Sequence, residues 1–323
     1  MMTERLIRTL EIHLGKWVSG ETMAKQCGCS RTCISRQIQK LRLEGYPIEA
    51  STRKGYRLLR NWDALSIHHI EKNLKAQTIT QIHLLDQTDS TNRQCKIFAR
   101  QKAPEGTLVL TEAQTSGSGR RERSFFSPAH KGIYMSLLLR PACTVQDATL
   151  ITSAAAVALC HVLRQNYNLQ PSIKWVNDVL LQGKKIAGIL TEAELEMEAN
   201  HVSYVILGLG LNVHEKQEEF PEALQSIATS LTAVAPLAYD RNFLISSFIN
   251  EFFDLYRGLG KRSFMPQYRH YSCCLDRKIQ VFPFYGTPYP AYVKGINDQA
   301  ELMIEKEDGS SCLLNSGEVS IRC

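Results

Sequence analysis

Ser172–Glu194 reads SIKWVNDVLLQGKKIAGILTEAE. Ile173 to Leu181 and Lys185 to Glu192 alternate like two strands, and Gln182-Gly183-Lys184 between them has turn chemistry, so the stretch predicts a β-hairpin. Lys174, Lys185, Asn177 and Asp178 interrupt strands that are otherwise apolar. Charges in such surroundings are costly without a partner, and a bound anion or a metal-nucleotide would supply one. The hairpin therefore reads as one wall of a binding site.

Working outward, YVILGLGLNVH (204–214) reads as a buried strand whose Gly208 and Gly210 leave room for a flat ligand against the backbone. Upstream, QIHLLDQTDSTNRQCKIFAR (81–100) is a strand that delivers Asp89, Ser90, Thr91 and Asn92 to the start of a helix. Free N–H groups and hydroxyls there suit a small polar ligand; taken alone the cluster reads more commonly as an ordinary helix cap. GTLVLTEAQTSGSGRRERSFFSP (106–128) offers a β run from Leu108 to Thr111 and then a loop. Gly117 and Gly119 allow close backbone approach, and Arg120, Arg121 and Arg123 carry planar donors that match phosphate oxygens. The loop is neither a Walker-type phosphate loop nor a dinucleotide fingerprint, so by local chemistry it is an anion grip or a solvated surface loop. GIYMSLLLR reads as a buried strand and LITSAAAVALCHVLRQ as an apolar helix that packs closely through small side chains.

The charge is unevenly placed. Residues 1–60 hold 12 Lys and Arg against 5 Asp and Glu, and the rest of the chain is close to neutral although the total is +6. Such asymmetry points to an N-terminal nucleic-acid-binding module. Leu6, Ile7, Leu10 and Leu14 recur at helical spacing; Met23, Ala24 and Cys27 start a second stripe behind Ser19. Gly28 breaks the chain, Ser30 caps a third helix lined by Ile34, Ile38 and Leu41, and Gly45 suits its C-terminal end. Thr32, Arg36, Gln39 and Leu43 lie on the opposite face, with Arg31 at the helix start and Ser35 to one side. This is the layout of a helix-turn-helix that enters a major groove. PIEASTRKGYRLL then reads as a β wing whose Arg53 and Lys54 reach phosphates, and Asn61-Trp62-Asp63 closes the module.

At 323 residues the chain has room for two or three domains, and 44% hydrophobic with 22% charged residues is ordinary globular composition. The N-terminus, carrying Glu4, Arg5 and Glu11, lacks a signal peptide's apolar core, so the expected location is the cytoplasm, without a membrane span. The ten cysteines read as reduced thiols, and Cys27, Cys29 and Cys33 as small helix side chains rather than metal ligands. From residue 274, short strands between Gly-Ile-Asn-Asp, Glu-Asp-Gly-Ser and Asn-Ser-Gly turns predict a small β barrel of the SH3 kind.

The ordered set of a winged helix, DSTN, EAQTxGxGRRxR, KWxND, KKIAGIL, GLGLN and a C-terminal β domain resembles the bifunctional biotin protein ligase and biotin operon repressor family, along essentially the full chain. The resemblance implies an α+β multidomain fold. Residues 1–62 would form the winged helix-turn-helix DNA-binding domain, 63–273 a class II synthetase-like mixed-sheet domain binding biotin and ATP, and 274–323 the SH3-like domain. It implies formation of biotinyl-5′-AMP with ATP and Mg²⁺, transfer of biotin to a lysine of a biotin carboxyl carrier protein, and repression at operator DNA by an adenylate-bound homodimer. Ser90, Thr91, Asn92, Gln114, Ser118, Gly119, Arg120, Lys185, Gly208 and Gly210 would hold biotin, with Lys185 and Arg120 catalytic. Arg120, Arg121, Arg123, Asn177, Asp178 and Asn212 would bind ATP, Asp178 would meet Mg²⁺, and residues 214–231 would form the adenine-side loop. Two positions depart from the family loop: Ser118 stands where arginine is common and Glu122 where glycine is usual. Val176 replaces the proline of the family's KWPND and is expected to sit in a strand.

Overall fold

The computed structural model describes residues 2–43, 46–59, 63–75, 78–196, 201–283, 286–315 and 317–321. The chain divides into two compact units, Met1–Asn73 and Leu74–Cys323.

The first unit contains α1 (Met2–Ile12), α2 (Gly20–Cys27), α3 (Arg31–Leu43), β1 (Ile48–Ser51), β2 (Gly55–Leu58) and α4 (Ile67–Asn73). Ser19 Oγ accepts from Thr22 N at 3.0 Å to start α2, and Ser30 Oγ accepts from Cys33 N at 3.2 Å to start α3. Gly28 ends α2 in the left-handed region, its N–H bonded to the last carbonyls. Leu6, Leu10, Met23, Ile34, Ile38 and Leu41 are fully buried together with Ile48 and Leu58 of the wing. Each such side chain contributes roughly 1.5–3 kcal/mol, which outweighs the weak intrinsic preference of helices this short. Gly55 is required in the wing: its φ is +92° and a Cβ there would lie 2.1 Å from Val18 O. That approach lets Val18 bridge to Tyr56 beside the β1–β2 ladder. The expected helices and wing are in place; Gly45, Asn61 and Trp62, and the side chain of Leu43, lie outside the described residues.

The second unit contains β3 (Gln81–Leu85), α5 (Thr91–Arg100), β4 (Thr107–Thr111), β5 (Gly132–Leu139), α6 (Val145–Ala148), α7 (Leu150–Tyr167), β6 (Ser172–Lys174), β7 (Asp178–Leu181), β8 (Lys184–Glu196) and β9 (His201–Asn212). α8 (Glu222–Gln225), α9 (Leu231–Val234), α10 (Arg241–Tyr256) and α11 (Met265–Tyr271) follow, then β10 (Lys278–Phe282), β11 (Tyr289–Ile296), β12 (Leu302–Lys306), β13 (Ser311–Leu314) and β14 (Glu318–Ile321). Seven strands form a mixed sheet in the order β3-β4-β5-β9-β8-β7-β6, parallel only between β3 and β4. α5 connects that parallel pair and packs Cys95 and Ala99 on Val109, Leu138 and Ile206. By strand alternation, Gly208, Gly210 and Asn212 of β9 continue the Ile206 face, so removal of side chains beyond α5 opens a hollow on that face. α7, buried over most of its length, packs with α10. Val145–Tyr167 is long and apolar enough to cross a membrane by length and composition alone, and its side chains are mostly buried within the unit.

One expectation changes. The run from Ile173 to Leu181 is not a single strand. It bends at Trp175-Val176-Asn177, so that β6 and β7 pair with each other, Lys174 opposite Asp178. Val176 therefore sits in the bend, after a cis Trp175–Val176 peptide, and not in a strand. Trp175 Nε1 donates to Ala300 O at 2.8 Å and Tyr268 hydroxyl to Val176 O at 3.1 Å, tying the bend to α11 and to the C-terminal strands. Those strands form an antiparallel sheet of five, β13-β12-β11-β10-β14.

Candidate active site and nucleic-acid interface

The second unit contains a cavity of about 700 Å³, within the range of small-molecule sites. All fifteen residues assigned above to biotin or ATP line it, from Ser90 at the start of α5 to Asn212 at the end of β9.

Its first part is neutral and already hydrogen-bonded. Ser90, Thr91 and Asn92 are buried to at least 95%. Thr91 N donates to Gln114 Oε1 at 2.9 Å, and Gln114 Nε2 donates to Ser127 Oγ at 3.0 Å. Ser136 lies within 2.8 Å of Thr91 Oγ1 and 2.5 Å of Asn92 Oδ1. Asn92 Nδ2 donates to Glu192 Oε2 at 2.7 Å, and Lys96 closes the chain by pairing with Glu192. Ser90 precedes α5 without making a side-chain cap bond, so its hydroxyl does not serve as an ordinary helix cap. The glycines of β9 follow from this crowding: a Cβ on Gly208 would sit 2.3 Å from Asn92 Oδ1, and one on Gly210 would sit 2.5 Å from the Phe125 ring.

The second part is charged. Lys185 Nζ lies 2.7 Å from Asp178 Oδ1 and 6.0 Å from the centroid of the Phe125 ring. Asn177 is held by two bonds to Ile189, through Nδ2 at 2.8 Å and through its carbonyl at 3.0 Å, and Arg120 donates to its Oδ1 at 3.4 Å. The Gly117–Pro128 loop folds over by its own backbone bonds, Gly119 N to Arg123 O at 2.7 Å and Phe125 N to Gly117 O at 2.8 Å. Arg121 reaches Phe282 O of β10 at 2.6 Å, so the loop is fastened to the C-terminal sheet. Residues 214–231 contain short helical turns rather than a plain loop, and Ile227 and Thr229 pair with the backbone of Lys185. Asn212 donates to Thr229 O at 2.9 Å, while its buried Oδ1 has no partner, an acceptor left for a ligand.

Three residues of this machinery, Ser136, Glu192 and Arg241, have no signature in the local sequence. Ser136 and Glu192 orient Asn92 across 44 and 100 residues. Arg241, fully buried at the start of α10, bonds Glu112 at 2.7 Å and Gly132 O at 3.0 Å, fixing the strand ends that carry the loop. Glu112 stands inside the EAQT motif, yet no local pattern names its partner 129 residues away.

For Mg²⁺, the donor set is one carboxylate, Asp178, beside the amide of Asn177; among the described residues no group of three His, Cys, Asp or Glu could hold a metal. Mg²⁺ commonly binds through one or two carboxylates plus substrate phosphates, so the residues fit a metal that arrives with a nucleotide.

In the first unit, Arg31, Thr32, Arg36 and Gln39 of α3 and Arg53 and Lys54 of the wing are exposed, and Ser35 is half-buried. The guanidinium of Arg57 lies 4.7 Å and Lys54 Nζ 5.9 Å from the Trp17 ring, which gathers two wing cations at one aromatic face.

A basic winged helix joined to a mixed-sheet domain with an ammonium–carboxylate pair and an arginine loop in one cavity defines a DNA-binding module fused to a small-molecule ligase-type domain. Residues 84–212 match the biotin/lipoate A/B protein ligase family, and residues 3–57 match an HTH domain. The bifunctional ligase/repressor BirA of Bacillus subtilis (strain 168) is 37% identical over 299 residues, 91% of each chain. The protein of the same name from Escherichia coli (strain K12) is 26% identical over 95% of this chain and 94% of its own. A biotin protein ligase from Aquifex aeolicus, solved with biotin and ATP, shares the fold with a TM-score of 0.64 at 23% identity, covering 76% of this chain and 99% of that one. The chain belongs to the biotin protein ligase family, in its bifunctional ligase/repressor branch.

Proposed function

We propose that the protein activates biotin with ATP to biotinyl-5′-adenylate, releasing pyrophosphate, and passes the biotin to the ε-amine of a lysine on a biotin carboxyl carrier protein. The observation that carries this reading is Lys185 Nζ held 2.7 Å from Asp178 in a cavity that combines a neutral amide–hydroxyl network with Arg120 beside Asn177.

Ser90, Thr91, Asn92 and Gln114 offer donors and acceptors for the ureido group, and Gly208 and Gly210 leave space for the fused rings. Ser118 and Gly119 flank the loop end of biotin. Lys185 would stand between the biotin carboxylate and the α-phosphate, neutralising the two anions that must approach each other. Arg120, with Arg121 and Arg123, would bear on the phosphate charge that develops as pyrophosphate leaves; preorganised charge of this kind usually supplies the largest share of an enzyme's rate enhancement. Asn212 Oδ1 and Asn177 would orient the nucleotide. Mg²⁺, held by Asp178 and the phosphates, would supply further neutralisation. The closed loop and Phe125 would keep water from the mixed anhydride.

The adenylate-bound form would act as a homodimeric repressor in the cytoplasm, α3 reading operator bases through Arg31, Thr32, Ser35, Arg36 and Gln39, with Arg53 and Lys54 on phosphates. Residues 1–62, 63–273 and 274–323 would be the three functional modules, the last closing as an SH3-like barrel that supports ATP and the carrier domain.

The test is incubation with labelled biotin or lipoate, ATP, Mg²⁺ and an apo carrier domain. Mass gain on the carrier with biotin alone is expected; gain with lipoate, or none with either acid, overturns the reading.

A further inference from the structure

We propose that Glu215 is a positioning residue for the ligase reaction: buried behind Tyr134, it fixes the phenol that ties down the returning end of the Gly117–Pro128 loop, and so sets Phe125 beside Lys185. Its effect on the adenylate rests on the function proposed above; its hold on the loop does not.

The phenol sits in a built seat. Tyr134 is fully buried on β5, directly opposite Gly210 of β9, so its side chain leaves the sheet on the face that carries the cavity. Its hydroxyl donates to Pro128 O at 3.0 Å, where the loop ends. A Cβ on Gly132 would lie 2.5 Å from the same hydroxyl, so only glycine leaves the phenol this position. The ring meets Phe125 edge-on, with centroids 6.4 Å apart. Phe125 in turn covers Gly210, where a Cβ would be 2.5 Å from its ring, and its centroid is 6.0 Å from Lys185 Nζ. Glu215 closes the far side of the seat: it is 0% exposed, and its Oε1 lies 3.5 Å from the Tyr134 hydroxyl. The path Glu215–Tyr134–Phe125–Lys185 thus joins a carboxyl outside the cavity wall to the ammonium group within it.

Counting protons shows which form of Glu215 does this. A phenol carries one proton and a peptide carbonyl can only accept, so at 3.0 Å that proton points to Pro128 O. Glu215 then faces the phenol oxygen. An ionised carboxylate would set lone pair against lone pair, whereas a carboxylic acid donates to the phenol and completes a chain from Glu215 through Tyr134 to Pro128. Glu215 Oε2 is buried with no partner, a placement far less costly for a neutral carbonyl oxygen than for half of a charge. Arg241, the buried cation at Gly132 O, is engaged with Glu112. Burial pushes the Glu215 carboxyl up, in agreement, although the backbone N–H groups beside it and His214 offset part of the effect.

The experiment compares full-length wild-type protein with Glu215→Leu, Glu215→Gln and Tyr134→Phe. Hydrogen exchange of the Gly119 and Phe125 amides, both bonded within the loop, is followed on the protein alone. The lifetime of bound biotinyl-adenylate is followed after a single turnover with biotin, ATP and Mg²⁺. Glu215→Leu and Tyr134→Phe should each speed exchange of the two amides about three- to tenfold, the range of one lost hydrogen bond, and shorten the lifetime by a similar factor. The amides of α7 should not change, and the KM for biotin should stay within about twofold. Glu215→Gln donates where the acid does and should restore both readouts. The double variant E215L/Y134F should be no worse than either single one, since both cut the same chain. Unchanged loop exchange in E215L, acceleration of α7 to the same degree, or a Glu215→Gln variant as impaired as Glu215→Leu overturns the proposal. If the wild-type protein forms no adenylate, the function reading fails by itself, and loop exchange still decides this one.

Discussion

Asn92 is held by Ser136 on one side of its amide and by Glu192 on the other, and Gly208 is the residue that leaves it room. Gly208→Ala would place a carbon 2.3 Å from Asn92 Oδ1 and 3.1 Å from its Nδ2, so the amide must turn away from the position the two partners fix. We expect the KM for biotin to rise at least about tenfold, near 1.4 kcal/mol, with the KM for ATP within about twofold; steady-state kinetics checks this, and an unchanged biotin KM rejects the role of Asn92. Arg241 gives a second residue-scale prediction. Truncation to Ala leaves Glu112 buried without its bidentate partner, and breaking a buried pair from one side costs about 3–5 kcal/mol. Urea unfolding of the variant should show that loss, whereas a change below about 1 kcal/mol would mean that water or His130, 3.4 Å from Glu112, replaces the pair. The two cases differ in how far the sequence announces them. Gly208 and Asn92 belong to short motifs whose composition signals close packing and polar chemistry. Glu112–Arg241 and Asn92–Glu192 join residues 129 and 100 apart in sequence, which local pattern does not encode.

At the scale of elements, most segments were readable because their periods are clean: α1, α2 and α3 bury one stripe each, and β5 is apolar but for Ser136 and buried along its whole length. The bend at Trp175–Asn177 was not, since Ile173–Leu181 keeps its alternation through it; what turns the chain there is pairing of β6 with β7 and the anchors from Trp175 and Tyr268, both tertiary. α1 carries a different kind of conflict. Glu11 is 5% exposed, and burial raises its carboxyl to about 7, offset only in part by Ser66. A group whose folded pKa is raised binds its proton more tightly in the native state, so its contribution is fully present below the unfolded value near 4.5 and falls as pH rises to about 7. Across that window the first unit should lose about 3 kcal/mol, from roughly 1.4 kcal/mol per pKa unit. Amide exchange of α1, corrected for intrinsic rates, should show falling protection between about pH 5 and 7.5, and Glu11→Gln should flatten it. A profile that stays sloped in Glu11→Gln would place the titration elsewhere.

For the whole molecule the two activities meet through one ligand. A repressor that responds to biotin needs its DNA-binding form to bind the adenylate more tightly than the silent form does, because a ligand shifts an equilibrium only by its differential affinity. Under the proposed function the ligase reaction would make that ligand, and if the adenylate stayed bound until a carrier took its biotin, operator occupancy would report unused biotin. The excess charge of residues 1–60, with Arg36 and Gln39 on the exposed face of α3 and Arg53 and Lys54 on the wing, sets how occupancy depends on salt. Every phosphate that a cation neutralises adds about 0.9 to the steepness of the log–log salt dependence. We expect fluorescence anisotropy with operator DNA to show tight binding only when biotin and ATP are both present. Lys54→Ala should reduce the salt slope by about 0.9 per wing and weaken all sequences alike. Arg36→Ala should instead cost about 1–3 kcal/mol on the operator and little on random DNA, because a base contact carries the discrimination that a phosphate contact lacks. Equal operator affinity with and without the two substrates would uncouple the winged helix from the cavity and leave a ligase with an independent DNA-binding domain.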